Sequence, residues 1–443
     1  MLKTFPKGGV HPAENKMAAT AEIQSLPLPK QVVIPLAQHI GAPAQAVVKR
    51  GDVVKTGTLI AKASGFVSAN IHSSVSGKVK KIDNVLDSSG YKKPSIIIDV
   101  DGDEWEENID CDPALINDLS KTPEEIKQKI MEAGIVGLGG ATFPTHVKLS
   151  IPEGKSIDHI IINAVECEPY LTADHRVMLE KAHEIMLGTS LIMKATGVDK
   201  AIIGIENNKP DAIELLSKIA KEYKGIQIDT LKVQYPQGGE KQLIKAVLDR
   251  EVPSGGLPLD VGCVVQNVGT AIAVYEAVQK NKPLIERVVT VTGKSVNKPI
   301  NLMVRIGTSA NELIEAAGGL PDDTGKVVNG GPMMGKAISD TNVPVTKGTS
   351  GILIFNTQES KRAKIYNCIR CARCTFVCSQ GLEPFNLKNI AEINDWEKLE
   401  KEHVMDCIEC GSCSYTCPAG VPILDYIRLG KSTVSQIIRS RKK

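Results

Sequence analysis

Eight of the eleven cysteines in this 443-residue chain fall into two short runs near its C-terminal end. The first, "CIRCARCTFVCSQ", places Cys368, Cys371, Cys374 and Cys378 at C-x2-C-x2-C-x3-C spacing. The second, "CIECGSCSYTCPAG", repeats it with Cys407, Cys410, Cys413 and Cys417, at a constant offset of 39 residues. Thiolates are soft, electron-rich ligands, and runs of this spacing hold iron–sulfur cubes. Zinc is the competing reading. It usually pairs two C-x2-C knuckles separated by a longer span, or uses histidine, and two runs of four at this spacing make it improbable.

Three closely spaced cysteines can wrap one cube with a single turn of loop, and the fourth arm must come from elsewhere. In two-cluster arrangements the fourth cysteine of each run serves the other cluster. The assignment is therefore crossed: Cys368, Cys371, Cys374 and Cys417 for one [4Fe-4S] cluster, and Cys407, Cys410, Cys413 and Cys378 for the other. Pro418 follows the second run, whereas Ser379 stands at the equivalent place in the first.

A second group of residues could hold a phosphorylated or flat ligand. "GIVGLGGATFPTHVKL" carries Gly137, Gly139 and Gly140, then Phe143 and Lys148. Clustered glycines allow close backbone approach, and a lysine adds a cation. The stretch is not the dinucleotide fingerprint G-x-G-x-x-G: Thr142 occupies the third glycine position, and a helix rather than a strand precedes it. "NAVECEPYLTADHR" sets Asn163, Glu166 and Glu168 just beyond a strand candidate, and "YPQGGEKQL" sets Tyr235, Gly238, Gly239 and Glu240 beyond another. Ligands collect at such strand ends in open α/β sheets.

The elements that must position these groups follow from pattern. "QVVIPL", "GTLIAKA" and "SGKVKKID" are short strands broken by turn signals, which predicts a small β-sandwich over residues 1–115. His11, His39 and His72 within it lack ligand-like spacing. "TPEEIKQKIMEAG" predicts a helix with Thr122 as N-cap, Pro123 at its first position, Glu125 completing a capping box and Gly134 near its end. Beyond it "HIIINA", "KAIIGIE", "IQIDTLKV" and "GCVVQNV" alternate with helical stretches, among them one long helix over "RVMLEKAHEIMLGTSLIMKATG". That alternation predicts a parallel sheet with covering helices over residues 116–283. Residues 284–357 are β-rich again, with a short helix at "SANELIEAAGG". Residues 358–443 carry the cysteines and end in a basic stretch containing Lys431, Arg439, Arg441, Lys442 and Lys443.

Composition excludes several classes. A formal charge of +2 and 4% aromatic residues argue against nucleic-acid binding. The opening "MLKTFPKGGVHPAENK" lacks the apolar core of a signal peptide. With clustered rather than scattered cysteines, this predicts a reducing, cytosolic setting. No apolar run is long enough to span a bilayer.

Taken in order, "GLGGATFPTHVK", "NAVECEP", "YPQGGEKQL" and "QNVGT" resemble the NADH and FMN motifs of the flavoprotein subunit of respiratory complex I. With "FPKGGVHPAENK", "HSSVSGKV" and the paired cysteine runs, nearly the whole chain resembles the RnfC family, a component of the Rnf complex, the membrane-bound ferredoxin:NAD oxidoreductase. The resemblance implies a multidomain α+β protein. Its parts would be a lipoyl-like β barrel-sandwich hybrid, a Rossmann-like α/β flavin and NADH domain, a β-grasp domain of the soluble-ligand-binding type and a two-cluster, ferredoxin-like helical domain.

It further implies FMN held by Gly137, Gly139, Lys148, Asn163, Glu166, Tyr235, Gly238, Glu240, Asn267 and Thr270, and NAD(H) held by Gly140, Phe143 and Glu168. Val165 and Gly239 replace acids found in complex I, and Cys167 replaces a small residue. The implied role is electron transfer between NAD(H), FMN and two [4Fe-4S] clusters at the cytoplasmic face of the cell membrane. The implied partners are membrane-embedded and peripheral Rnf subunits, with ferredoxin reached through another subunit. A related flavin and iron–sulfur cobalamin reductase and a flavin-free cluster scaffold are the alternatives.

Overall fold

The centre of the fold is a four-stranded, wholly parallel sheet in the order Ile226–Leu231, Ala201–Glu206, His159–Asn163, Cys263–Asn267. The computed structural model describes residues 2–441, so Lys442 and Lys443 of the basic tail lie outside the described residues. The strand "HIIIN" shows why both faces of this sheet are covered. Ile160 and Ile162 enter the larger apolar core on one face, and Ile161 enters a second core on the other. Each fully buried isoleucine contributes roughly 1.5–3 kcal/mol. In chain order the strands lie 3-2-1-4, so the direction of winding reverses between His159–Asn163 and Cys263–Asn267. The crevice beyond their C-terminal ends is where open α/β sheets take ligands.

The expected helix after "KTPEE" is Pro123–Glu132, and Thr122 and Glu125 form the capping box. The single long helix expected from Arg176 onward is instead two, Ala173–Glu180 and Ala182–Thr196. Lys181 leaves helical geometry at φ −132°, ψ 37°. The two pieces answer to different neighbours. The Glu166 carboxylate holds the start of the first by accepting from the Asp174 and His175 amides. The second packs along the helix Val268–Lys280. Helical periodicity continues through the break, so the residue pattern carries no sign of it.

The sandwich is present, with one four-stranded sheet (Gln31–Pro35, Lys92–Val100, Gly77–Leu86, Val53–Val54) facing a three-stranded one (Gln45–Ala46, Leu59–Lys62, Ile71–His72). Residues before it run elsewhere. Ile23–Ser25 adds an edge strand to a six-stranded mixed sheet, pairing in parallel with Ile300–Arg305. The other strands of that sheet are Glu286–Thr292, Gly351–Asn356, Thr324–Asn329 and Lys336–Ile338, with the helix Ala310–Ala316 also in this part of the chain.

Lys347 joins three of these parts. Its buried ammonium donates to the Asn70 carbonyl at 2.9 Å and the Gly134 carbonyl at 2.7 Å. Burial lowers its pKa to about 7.

The cysteine runs sit in a small helical unit of Arg373–Phe376, Pro384–Glu392, Trp396–Lys401, Ser412–Tyr415 and Ile423–Arg441. The basic C-terminal stretch is helical to Arg441 and partly turned inward: Lys431 donates to the Cys407 carbonyl, and Arg441 pairs with Glu400. Among the described residues, no helix is long and apolar enough to cross a membrane.

Candidate functional site

Three loops meet at the C-terminal end of the parallel sheet. Asn163 Nδ2 donates to the Gly238 carbonyl at 2.8 Å, tying the end of the first strand to the "YPQGGE" loop. Asn267 caps the helix Val268–Lys280 through Gly269 N and donates to Asp174 Oδ2 at 2.7 Å. The glycine loop lies over this helix start, with Leu138 N donating to Thr270 Oγ1 at 2.9 Å. A Cβ on Gly139 would stand 3.1 Å from Asn267 Cβ, so that position has little room for a side chain. Lys148 reaches in from the helix Thr145–Leu149, pairing with Glu240 at 2.7 Å and donating to the Val265 carbonyl at 3.1 Å.

Most polar side chains singled out by sequence thus hold the loops to one another. Both oxygens of Glu166 accept from the amides that start Ala173–Glu180, and its φ of 47° is strained for a non-glycine residue. Glu168 accepts from Met333 N at 3.1 Å and Met334 N at 2.8 Å, linking this loop to the mixed-sheet domain. Burial pushes its carboxyl up to about 7. Gly139 and Gly140 are exposed, while Gly137, Phe143, Lys148, Gly238 and Glu240 are half-buried. The accessible surface of the site thus includes glycine backbone, the Phe143 ring and the Lys148–Glu240 pair, with Asn163, Glu166 and Glu168 also half-buried.

The groups beneath this surface are not among those that residue type and spacing single out. Lys16 is half-buried, and its ammonium donates to the carbonyls of Glu166, Glu168 and Leu171, folding "ECEPYL" around it. Burial lowers its pKa. Half-buried Asp174 and buried Glu206 have carboxyls pushed up to about 7 by desolvation. The one signal for Lys16 is its place in the opening motif "HPAENK", which by itself points to no partner. The buried amide nitrogens of Gln237 and Gln266 have no protein partner at this end of the sheet. Orphaned donors and exposed glycine backbone suit a polar, phosphate-bearing ligand such as FMN.

The cysteines divide unevenly. Cys413 and Cys407 are pushed up by burial, to about 12 and about 11, and repulsion from Cys410 and Cys378 adds to both shifts. Cys378 is likewise raised by burial, and by charge repulsion from Cys410. Cys378 is therefore within electrostatic reach of Cys407, Cys410 and Cys413, although it belongs to the other run.

In the first run Cys374 is buried, while Cys368 and Cys371 are exposed on an irregular segment. Tyr366 N donates to the Ala419 carbonyl at 2.9 Å, which places that segment beside the chain just past Cys417. Among the described residues, no three His, Cys, Asp or Glu side chains converge as ligands of a single metal ion.

Hydrogen bonds join the two sites, among them Gln242 Nε2 to the Ser379 carbonyl at 3.4 Å. Tyr235, buried in the "YPQGGE" loop, donates its hydroxyl to the Cys410 carbonyl at 2.8 Å.

Comparison with known proteins gives the following likenesses. Residues 130–276 match the family described as the Nuo51 FMN-binding domain, residues 3–103 the RnfC barrel sandwich hybrid domain, and residues 288–337 the SLBB domain. The chain is 48% identical to the C component of the proton-translocating ferredoxin:NAD(+) oxidoreductase complex of Clostridium ljungdahlii, over 91% of this chain and 88% of that one. It is 44% identical to the C component of the Na(+)-translocating ferredoxin:NAD(+) oxidoreductase complex of Acetobacterium woodii, over 99% of this chain and 98% of that one. Among solved structures, an NAD+-reducing [NiFe]-hydrogenase in the H2-reduced state shares the fold. Its TM-score is 0.50 at 20% identity, covering 70% of this chain and 62% of the hydrogenase chain.

Proposed function

Since the chain belongs to the RnfC family, the C components of ion-translocating ferredoxin:NAD(+) oxidoreductase complexes, we propose that it passes electrons between NAD(H), FMN and two [4Fe-4S] clusters within such a complex. The observation that carries this reading is the Tyr235–Cys410 contact, which joins a loop of the flavin-binding fold directly to a cysteine run. FMN, when bound, converts the hydride of NADH into the single electrons that clusters carry.

The chain's own groups have distinct tasks. The backbone of Gly137–Gly140 and the Lys148 ammonium would hold FMN. Phe143 and Gly140 wall the nicotinamide side, next to Glu168. Asn163, Glu166, Asn267 and Thr270 keep the loops in register, and Tyr235, Gly238 and Glu240 close the side towards the clusters. Cys407, Cys410, Cys413 and Cys378 hold the near cluster. Cys368, Cys371, Cys374 and Cys417 hold the far one.

The far side is suited to meeting other subunits. Lys361, Arg362, Lys364, Arg370 and Arg373 surround it, with Ile369 68% and Phe376 76% exposed. In this arrangement the chain sits peripherally, at the cytoplasmic face of the membrane.

The test is an anaerobic preparation with iron and sulfide restored. Acid should release FMN and no FAD, and NADH should reduce ferricyanide. Absence of flavin after reconstitution would leave only a cluster scaffold. Lys148→Met should weaken FMN retention by about 1.5–3 kcal/mol, the range for a hydrogen bond to a charged group.

A further inference from the structure

The opening stretch "KTFPKGGV" is gripped from both sides. On one side it pairs with the flavin-binding domain. Lys3 bridges in parallel to Leu231, and its ammonium meets Asp229 at 2.6 Å. Thr4 Oγ1 donates to Gln237 Oε1 at 2.8 Å, and Gln234 Nε2 donates to the Gly8 carbonyl at 2.8 Å. Val10 and Tyr235 exchange both backbone hydrogen bonds, at 2.8 and 2.9 Å.

On the other side the stretch meets the cluster domain. Gly9 N donates to the Val377 carbonyl at 2.9 Å. A Cβ on Gly8 would lie 2.7 Å from both the Cys378 carbonyl carbon and the Val377 oxygen.

We propose that residues 3–10 form a positioning strap, in which Gly8 sets how closely the Cys378 end of the near cluster approaches the Tyr235–Gly238 loop. The inference rests on the electron-transfer reading above and adds the element that fixes the gap. The obstacle at Gly8 is backbone, which cannot rotate aside. At Gly9 the first obstacle is the Gln234 side chain, at 2.6 Å, which can. Gly8 also has φ +74°, a left-handed value that glycine adopts without strain. A methyl group there must push Val377 and Cys378 away from the strap. The Gly9–Val377 bond and the Tyr235–Cys410 bond, which span the same seam, are then strained together.

The strap has no ligand chemistry of its own. Its effect is on geometry, and positioning errors of this kind act on rate more than on binding. Lys3, Thr4, Gln234 and Gln237 fix the strap to the flavin side, so the movement falls on the cluster side.

The experiment compares Gly8→Ala, Gln234→Ala and Gly51→Ala in the full chain, reconstituted anaerobically. Gly51 also has a left-handed φ, +96°, but open space around it, so it controls for backbone strain alone. Gln234→Ala loosens the strap without adding an atom, and covers the case in which Gly8→Ala fails to fold. Three things are measured: hydrogen exchange at the Gly9, Val10 and Tyr235 amides, FMN and iron content, and the rate of cluster reduction by NADH beside that of ferricyanide.

Gly8→Ala and Gln234→Ala should exchange faster at those amides and reduce the clusters several-fold more slowly. FMN, iron and the ferricyanide rate should stay at wild-type levels, as should everything in Gly51→Ala. Wild-type exchange and wild-type cluster reduction in both strap variants would overturn the proposal, as would equal damage in Gly51→Ala. If the unmodified chain takes up neither FMN nor iron, the electron-transfer reading fails. Exchange then still judges the strap: faster exchange in the two strap variants supports it as a structural tether, and unchanged exchange removes it.

Discussion

The two cysteine runs share one spacing and are set in opposite surroundings. Around the second run, Cys413 is buried, Cys407 and Cys410 are half-buried, and Tyr235 closes on the Cys410 carbonyl. A Cβ on Gly411 would stand 2.8 Å from the Met333 carbonyl, so the mixed-sheet domain covers this run too. In the first run, residues 361–371 are exposed throughout and carry cations and apolar side chains outward. A duplicated motif has thus become an inner station and an outer one. The difference lies in what packs against each copy, since the spacing of the ligands is identical.

The largest effect should come from exchanging ligands between the stations. Cys378→Ala should abolish the inner cluster and give the same EPR spectrum and iron loss as Cys407→Ala, although Cys378 belongs to the other run. Cys417→Ala should match Cys368→Ala. If each variant instead matches its own run, the ligation is not crossed.

A smaller effect tests the surroundings directly. Under an iron chelator, iron should leave in two phases, with the outer station first. In Cys378→Ala the fast phase alone should remain. A single phase in the wild-type chain would show the two stations to be equally shielded.

Tyr235→Phe removes one hydrogen bond across the seam, worth about 1 kcal/mol. It should slow reduction of the inner cluster by NADH and leave the chelator's fast phase unchanged. An altered fast phase would mean that the outer station also depends on Tyr235.

The smallest effect is on pH dependence. Glu168 anchors Met333 and Met334 above the inner run, and burial raises its carboxyl from the ordinary 4.5 to about 7. The folded chain therefore binds this proton more tightly than the unfolded chain does. The stability that goes with the bound proton is fully present below the unfolded value and is lost as pH rises through the folded one. The Met333 and Met334 amides, and after them Lys16 and Arg428, oppose the shift without cancelling it. Glu168→Gln should flatten the fall in urea midpoint between about pH 5 and pH 8. An unchanged slope would assign the fall to Asp174 and Glu206.

Much of the site was legible because its signals are local. The 39-residue offset, the glycines at 137, 139 and 140, and the Thr122–Glu125 capping box can each be read from residue types and short spacings. The strand "HIIIN" could be read as buried from its run of isoleucines. The break at Lys181 could not be read, because apolar periodicity continues across it while the packing partner changes. The uses of Glu166 and Glu168 were equally hidden. An acid in a loop has the same local signature whether it faces a ligand or caps a distant amide.

Which chemistry the chain can carry is written in its residue order. Eight thiols at repeated spacing, a glycine loop with a nearby lysine, and polar loops after parallel strands limit the choice of cofactor, because ligand type and spacing are covalent properties. Which station is inner and which outer, what holds the loops, and how the two sites meet are settled only by docking of the folded parts. Lys3 finds Asp229 across 226 residues, and Tyr235 finds Cys410 across 175. Gly9 likewise finds Val377 in the cluster domain. Such pairings form between surfaces that exist only after each part has folded, and no local pattern of residue types encodes them.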